Sequence, residues 1–573
     1  MAVAPAPDTS RTWIADRARL ARVAERLLLP AATVGAVVAV VVLALPTVWW
    51  SPLNVDEELT LRVAQYSFAN VFHIVSDQRG GGPLHFWLEH FLLRWWPGLP
   101  ALRVPSLVFL CLALPAVALV ARALAGDEIA AAVVLLTAVS PIPLSYATFG
   151  RPHTLLFAWL MWGTVAGLKA ARTGRRVWWV VAGAALGTTI FVHPTAPLYA
   201  LTAFGVVLVY TPRPWRAVAR EAWPGAVALL VTFLPYYVKT MHVLSDRYGV
   251  GNVKKGARTF TGRPVWEDAL HFVAPGAHDL NYFTALCAVG VVVLALARRW
   301  RLLLFCALTV AAPVVFFSVI PANGTSALFF DRYMIPVTPA FLVVVVTGAA
   351  ALARWAGPLR VPVLLLLVAG LVAIELRYDV QRRDSVRAID LGAATHRVAR
   401  EATGSVLFGS TGTSGTFWAS FDFGHPANLF ARYVSLRVPI RLVQDDTCTR
   451  AAAYLAGPAA PTHGIWIFFA PVASQWQAGA GALARFGGSV TIVRPTPRFF
   501  VVRSRAALAP RALVLLGVRL REAWQVAVPQ NRRVAELLRA DRQALREPDA
   551  CPPYGVLGDP GISPHWPPVP GTG

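Results

Sequence analysis

Asn54-Val55-Asp56-Glu57-Glu58 follows directly on a long apolar run, which puts carboxylates at the edge of a bilayer. Asn54 with Glu57 three residues later fits a helix capping box, so Glu57 has a structural role open to it beside a catalytic one. Asp56 is not needed for a cap. Neighbours on a helix point about 100° apart, so Asp56 and Glu57 cannot act together as a parallel carboxylate pair. Cations and phenols come from helix junctions further on: Arg151 and His153 in Gly150-Arg151-Pro152-His153, His193 before Pro194, and Arg332 and Tyr333 after Asp331. Ionisable groups at the ends of apolar helices are costly when turned toward lipid, so they pair or face a cavity. Snorkelling to headgroups is the alternative for the two arginines, and a hydrogen-bonded interfacial ring is the alternative for His193.

One carboxylate with several cations suits a particular reaction. A glycosidase needs a second carboxyl group to protonate a poor leaving group, whereas a phosphate leaves as a stable anion. Such a transfer needs a base for the incoming hydroxyl and donors for the departing phosphate. Arg263 joins the phosphate candidates, and Asp77, His85, Lys254 and Lys255 are candidates on the acceptor side. Lys239, Lys254 and Lys255 are three of the chain's four lysines; a solvated loop is the other reading of Lys254 and Lys255. Asp268, His271, His278 and Asp279 are too scattered for a metal motif. No cofactor is assigned with certainty; a divalent metal stays open, though the spacing does not support one.

The elements that must position these residues are membrane helices. The chain has 573 residues, 56% hydrophobic and 14% charged, too apolar for a water-soluble protein of this size. Runs of about 20 apolar residues, the length that crosses a hydrocarbon core, predict eleven transmembrane helices. They lie near 28–49, 101–121, 128–147, 153–170, 177–192, 195–210, 222–239, 281–297, 302–320, 334–353 and 360–376. The net charge of +23 falls mostly on alternate loops: Arg11 to Arg26, Lys169 to Arg176, Arg213 to Arg220, Arg298 to Arg301, and Arg354 with Arg360. Cytoplasmic loops carry the excess Lys and Arg. The N-terminus is therefore expected inside and the C-terminal region outside the inner (plasma) membrane, in a multi-pass arrangement. The charge reads as topology, and nucleic acid is excluded as a partner because no basic helix or aromatic-basic interleaving supports it. No cleavable targeting segment is expected, since the first run ends in Pro46-Thr47-Val48-Trp49-Trp50.

The expected division is a cytoplasmic segment 1–27, a transmembrane domain 28–376 with outer loops 51–100 and 241–280, an extracytoplasmic α/β domain 377–547, and a Pro/Gly-rich tail 548–573. In the first outer loop, 55–69 and 83–96 read as amphipathic helices lying on the interface. Short apolar runs at 405–409, 464–469, 489–493 and 499–502 read as strands, the last two as a hairpin.

Several blocks resemble a known family. Pro52-Leu53-Asn54-Val55-Asp56-Glu57, Gly82-Pro83-Leu84-His85-Phe86, Leu102-Arg103-Val104-Pro105-Ser106, Arg151-Pro152-His153-Thr154-Leu155 and Arg332-Tyr333-Met334-Ile335-Pro336 look like the recurring blocks of family 39-type GT-C glycosyltransferases. That group includes the protein O-mannosyltransferases, the lipid A aminoarabinose transferases and bacterial relatives that modify glycans and lipopolysaccharide. The resemblance implies a GT-C fold, a polyprenyl-phosphate-linked sugar as donor, inversion at the anomeric carbon, and Asp56 as the base. The partners it implies are membrane lipid and a glycan, lipid or protein acceptor. A transporter of a lipid-linked anion and a catalytically silent scaffold of cell-envelope assembly are the competing classes.

Cys111, Cys287 and Cys306 fall in the apolar runs, whereas Cys448 and Cys551 lie in the expected outer region. An oxidising compartment favours a Cys448–Cys551 disulfide. Non-reducing peptide maps should contain that cross-linked pair, and its absence would reject the assignment.

Overall fold

A computed structural model describes residues 9–50, 57, 60, 63–64, 66–79, 82–96, 99–248, 265–273, 280–319, 331–387, 406–409, 440–443, 465–469, 490–493, 499–504 and 546. Asp56, Lys254, Lys255, Arg263, Cys448 and Cys551 lie outside them. The chain divides into two compact units. One comprises residues 1–49 and 63–382, the other 50–62 and 383–573.

Each of the eleven apolar runs is helical. The larger unit is built from α1 (Thr9–Trp50), α2 (Phe68–His73), α3 (Pro83–Trp95), α4 (Leu99–Ala125), α5 (Asp127–Val139), α6 (Pro141–Tyr146), α7 (His153–Thr173), α8 (Arg176–Gly187), α9 (Ala196–Tyr210), α10 (Trp215–Tyr248), α11 (Val265–Val273), α12 (Leu280–Leu296), α13 (Trp300–Val319), α14 (Thr338–Trp355) and α15 (Arg360–Arg387). Among the described residues, seven helical stretches are long and apolar enough to cross a membrane, and three apolar helices are shorter. The chain is a multi-pass membrane protein. The run at 128–147 is two helices, because Ser140 takes an extended backbone ahead of Pro141 and a residue before proline avoids the helical region. The run at 177–192 ends in a 3-10 turn, Thr188–Phe191.

Burial patterns give each helix its place. In α1, Ala36, Val40, Ala44 and Val48 are buried four residues apart, while Val34, Val38 and Val42 are exposed, so only one stripe packs on the bundle. Every residue from Tyr333 to Ala351 is buried, and α14 forms the middle of the core. It packs on α12, α13 and α5, while α8 packs on α10 and α4 on α7. Lipid is as apolar as the helices, so close backbone approach rather than the hydrophobic effect holds such pairs. A Cβ at Gly183 would run into the Gly225 carbonyl of the facing helix.

The helices alternate in direction, which gathers their ends. At one end Arg213 donates to the Arg172 carbonyl at 3.1 Å and pairs with Glu221 at 2.5 Å. Arg301 donates to the Thr211 carbonyl there at 2.8 Å. Exposed Arg175, Arg176, Arg216, Arg298 and Arg354 share this end. The helix starts at His153, Ala196 and Thr338 lie at the opposite end.

Helix α3 has its polarity turned inside out: His85, Glu89 and His90 are buried, while Phe91, Trp95 and Trp96 are exposed. Polar groups inward and aromatic groups outward suit a helix on a bilayer surface. The expected helix over 55–69 stops short of 69, because the backbone leaves the helix at Tyr66 and Ser67. Ser67 caps α2, its side chain accepting from the Asn70 amide at 3.4 Å.

The smaller unit carries a five-stranded mixed sheet in the order β2-β1-β3-β5-β4. Its strands are β1 (Val406–Gly409), β2 (Ile440–Val443), β3 (Ile465–Phe469), β4 (Val490–Val493) and β5 (Phe499–Ser504). β1 is parallel to β2 and β3, and β5 is antiparallel to β3 and β4. The last two strands pair as read from the sequence; β2 was not anticipated.

The Gly183 contact is testable in bilayer nanodiscs. Gly183→Val should lose about 1–3 kcal/mol of stability by overpacking and lower the unfolding midpoint. Gly205→Ala meets open space and should be neutral or gain up to about 1 kcal/mol.

Candidate functional site

The starts of α7, α9 and α14 bring Arg151, His153, His193, Arg332 and Tyr333 to one end of the bundle. Pro152 begins α7, so the first amides of that helix and its positive dipole end sit beside Arg151 and His153. Pro194 stops the preceding turn and leaves His193 at the corner before α9. The His153 and His193 rings lie 5.2 Å apart, and the charges of Arg151 and Arg332 bear on His153. His153 is 4% exposed, yet its Nε2 has no hydrogen-bond partner among the described residues. A buried polar atom left unsatisfied is costly, so that nitrogen marks a place where a ligand atom would be stabilised.

The corner is pinned from several sides. Ser106 donates to the Phe149 carbonyl at 2.7 Å and sits 3.3 Å from that of Arg151. Tyr146 donates to Asp331 at 2.8 Å, and the same carboxylate oxygen accepts from the Arg332 amide at 2.8 Å. Tyr146 also packs its ring edge-on to His153 at 5.1 Å. Tyr199 donates to the Tyr333 carbonyl at 2.7 Å, and the Tyr333 ring stacks on Phe317 at 4.5 Å. Nδ1 of His193 lies 2.7 Å from the Thr195 hydroxyl and 3.2 Å from the Thr195 amide, which anchors the ring at the start of α9.

His85, expected on the acceptor side, joins this corner instead. Its Nε2 donates to the Gly150 carbonyl at 3.3 Å. Burial, then the Arg151 charge, pushes the imidazole down to about 3, against a smaller upward pull from the Gly150 bond. It is a neutral donor that positions the Arg151 loop. Asp77 sits apart, with His73, Ser76 and Lys239. Glu57 is helical and buried. Among the described residues no group of three His, Cys, Asp or Glu could hold a metal ion. Tyr146, Tyr199 and Ser106 were not singled out as site residues; Ser106 stood within a quoted block, but only packing reveals the tyrosine partners.

The arrangement holds cations and neutral donors beside helix N-termini in a buried setting, which is the chemistry of an anion site. Its neutral histidine has a measurable consequence. Below about pH 6.5 the unfolded chain takes up a proton at His85 that the folded chain refuses until about pH 3. Folded stability therefore falls as pH drops through that window, by about 1.4 kcal/mol per pH unit for one proton. His85→Gln keeps a donor for Gly150 and removes the titration. Its unfolding midpoint should decline less steeply on acidification than the wild type's, and equal slopes would show that no neutral ring is buried there.

Residues 81–238 match the family described as dolichyl-phosphate-mannose-protein mannosyltransferase. No curated protein matches the chain. Among solved structures, ArnT from Cupriavidus metallidurans bound to undecaprenyl phosphate is 16% identical with a TM-score of 0.49, covering 83% of this chain and 98% of that one. The oligosaccharyltransferase AglB from Archaeoglobus fulgidus, in complex with an inhibitory peptide and a dolichol-phosphate, is 12% identical with a TM-score of 0.46, covering 84% and 75%. The match over 81–238 spans the Gly82, Leu102 and Arg151 blocks, so the chain resembles GT-C glycosyltransferases in the region that carries Arg151, His153 and His193.

Proposed function

We propose that this protein is an inverting membrane glycosyltransferase that moves a sugar from a polyprenyl-phosphate donor to a cell-envelope glycan, lipid or protein at the outer face of the inner membrane. The observation that carries the reading is the buried, unsatisfied Nε2 of His153 among Arg151, Arg332 and His193. A departing phosphate supplies the oxygen that nitrogen lacks and the charge that the guanidinium groups balance. The family match over 81–238 supports the same chemistry.

In the reaction proposed, the acceptor hydroxyl attacks the anomeric carbon while its proton passes to the Asp56 carboxylate. The bond from that carbon to the phosphate oxygen breaks, and the electron pair stays on the phosphate. Arg151 and Arg332 stabilise the growing charge, with His153, His193 and the Tyr333 segment orienting the anion. Arg263, Lys254 and Lys255 are proposed to add positive charge from the loop at 241–280, and Glu57 to hold the helix start beside Asp56. The basic end of the bundle then faces the cytoplasm.

Nanodisc-reconstituted protein incubated with radiolabelled polyprenyl-phosphate sugars should turn one of them over. Asp56→Asn should abolish transfer without loss of folded protein. Arg151→Gln and Arg332→Gln should each cost about tenfold or more in kcat/KM for the donor. Movement of the lipid across the bilayer without transfer would show a transporter, and neither event would leave the scaffold; both outcomes reject the proposal.

A further inference from the structure

A row of aromatic rings runs outward from the His193 corner. Phe191, two residues before His193, lies 4.9 Å from the Tyr236 ring, and Tyr236 lies 6.1 Å from Phe72. Phe72 is stacked on Trp87 at 5.8 Å with 13° between planes, and Trp87 on Phe68 at 4.5 Å and 10°. The row is buried at Tyr236, 5% accessible, and exposed at its outer end, where Phe68 is 47% accessible. Gly82 holds the loop against the row's inner end, since a Cβ there would run into the Phe191 and Val192 backbone.

Three hydrogen-bonding groups stand along the same rings. Nζ of Lys239 lies 4.2 Å from the centre of the Phe72 ring and 3.5 Å from Asp77. Asp77 also takes Ser76 at 2.8 Å and His73 at 3.1 Å. Burial pulls the Asp77 carboxyl up, but the bonds from Ser76 and His73 and the Lys239 charge outweigh it and hold it below the ordinary carboxylate range. His73, Asp77 and Lys239 are all partly open to solvent, with side chains 65%, 42% and 40% accessible. A face for acyl chains alone would have no use for the Asp77–Lys239 ion pair beside it. Phe72 carries Trp87 stacked on it and the Lys239 ammonium over its face, so the open ring is Phe68. An exposed aromatic face with a carboxylate and an ammonium nearby matches a pyranose ring, whose C–H face packs on Phe68 while its hydroxyls bond to the charged groups.

We infer that Phe68, backed by Trp87 and Phe72 and with Asp77 and Lys239 close by, forms a binding platform for the sugar ring of the acceptor. The inference rests on the transferase reading, and it deepens that reading by specifying a carbohydrate-bearing acceptor instead of a bare lipid or peptide. The platform contacts the acceptor and takes no part in bond breaking. Phe68 is its outermost ring, and Trp87 is fixed by the bond from its Nε1 to the Phe68 carbonyl at 3.1 Å.

Saturation-transfer NMR tests this directly, with protein in phosphatidylcholine nanodiscs free of glycoside detergent. The probes are methyl α-mannoside, methyl β-glucoside and methyl β-galactoside, with cyclohexanol as an apolar ring of similar size. At least one glycoside should receive saturation on one face of its ring, more strongly than cyclohexanol. Phe68→Leu, at an exposed position that leaves the Phe72–Trp87 contact in place, should weaken glycoside binding about five- to tenfold. Asp77→Asn should weaken the glycoside and leave cyclohexanol unchanged. Arg151→Gln should bind glycoside like the wild type, so the platform can stand or fall separately from donor turnover. Glycoside signals no stronger than cyclohexanol, or signals unaffected by both Phe68→Leu and Asp77→Asn, would overturn the platform even if donor transfer is observed. Binding that survives those tests in a protein that turns over no donor would sink the transferase assignment, and the acceptor role with it, while leaving a carbohydrate site at Phe68.

Discussion

Positive charge gathered in a buried setting is the constraint on which the larger unit depends. Arg151 and Arg332 share the end of the bundle where α7, α9 and α14 begin, and the helix dipoles there add to the same sign. Like charges in a low dielectric repel strongly, so this crowding survives only if each group is held where it is. The chain does this mostly with backbone carbonyls and neutral hydroxyls. Ser106 braces the Arg151 loop, Tyr146 reaches Asp331, and Tyr199 reaches the Tyr333 carbonyl. Asp331 offsets part of the charge and spends one oxygen on Tyr146 and the Arg332 amide, which fixes it as a structural counter-charge rather than a mobile base.

The same constraint explains the inverted helix α3. A bundle end rich in cations needs neutral donors and backbone contact around it, and α3 supplies them by turning His85 inward to the Gly150 carbonyl and His90 to the Ala64 carbonyl at 2.8 Å. Its apolar residues are then left for the bilayer surface. Trp95, 87% exposed, would be a liability in water and is an anchor at a membrane interface.

Much of this was legible in the residues. Apolar length alone located the eleven apolar runs that are helical, because a membrane span must satisfy its own backbone and so announces itself in composition; the short helix Val265–Val273 lay in what read as a loop. Alternation of arginine clusters separated the basic end from the site end, and Gly/Pro punctuation located four of the five strands and the final hairpin. What was not legible depends on long-range partners. Tyr146 and Asp331 are 185 residues apart in the chain, and no local pattern pairs them. His85 read as an acceptor-side residue of an interfacial helix; only packing shows that its ring faces Gly150. The break at Ser140 is written in Pro141, but hydropathy averaged over a span hides it. β2 is a four-residue run, Ile440–Val443, with an arginine inside it, too short and mixed to stand out.

The aromatic row and the cation corner belong to one physical arrangement. An anion site needs exclusion of water to be strong, and a transfer reaction needs a second molecule admitted beside it. Rings can do both, since they seal the inner end, where Phe191 and Tyr236 are packed, and offer faces at the outer end, where Phe68 is open. Lys239 and Asp77 lie between the two, close enough to pair with each other. A hydroxylated ligand moving inward would exchange water for those groups before it met the rings alone, so selectivity for a sugar over a hydrocarbon would be imposed at the entrance and not at the reacting carbon.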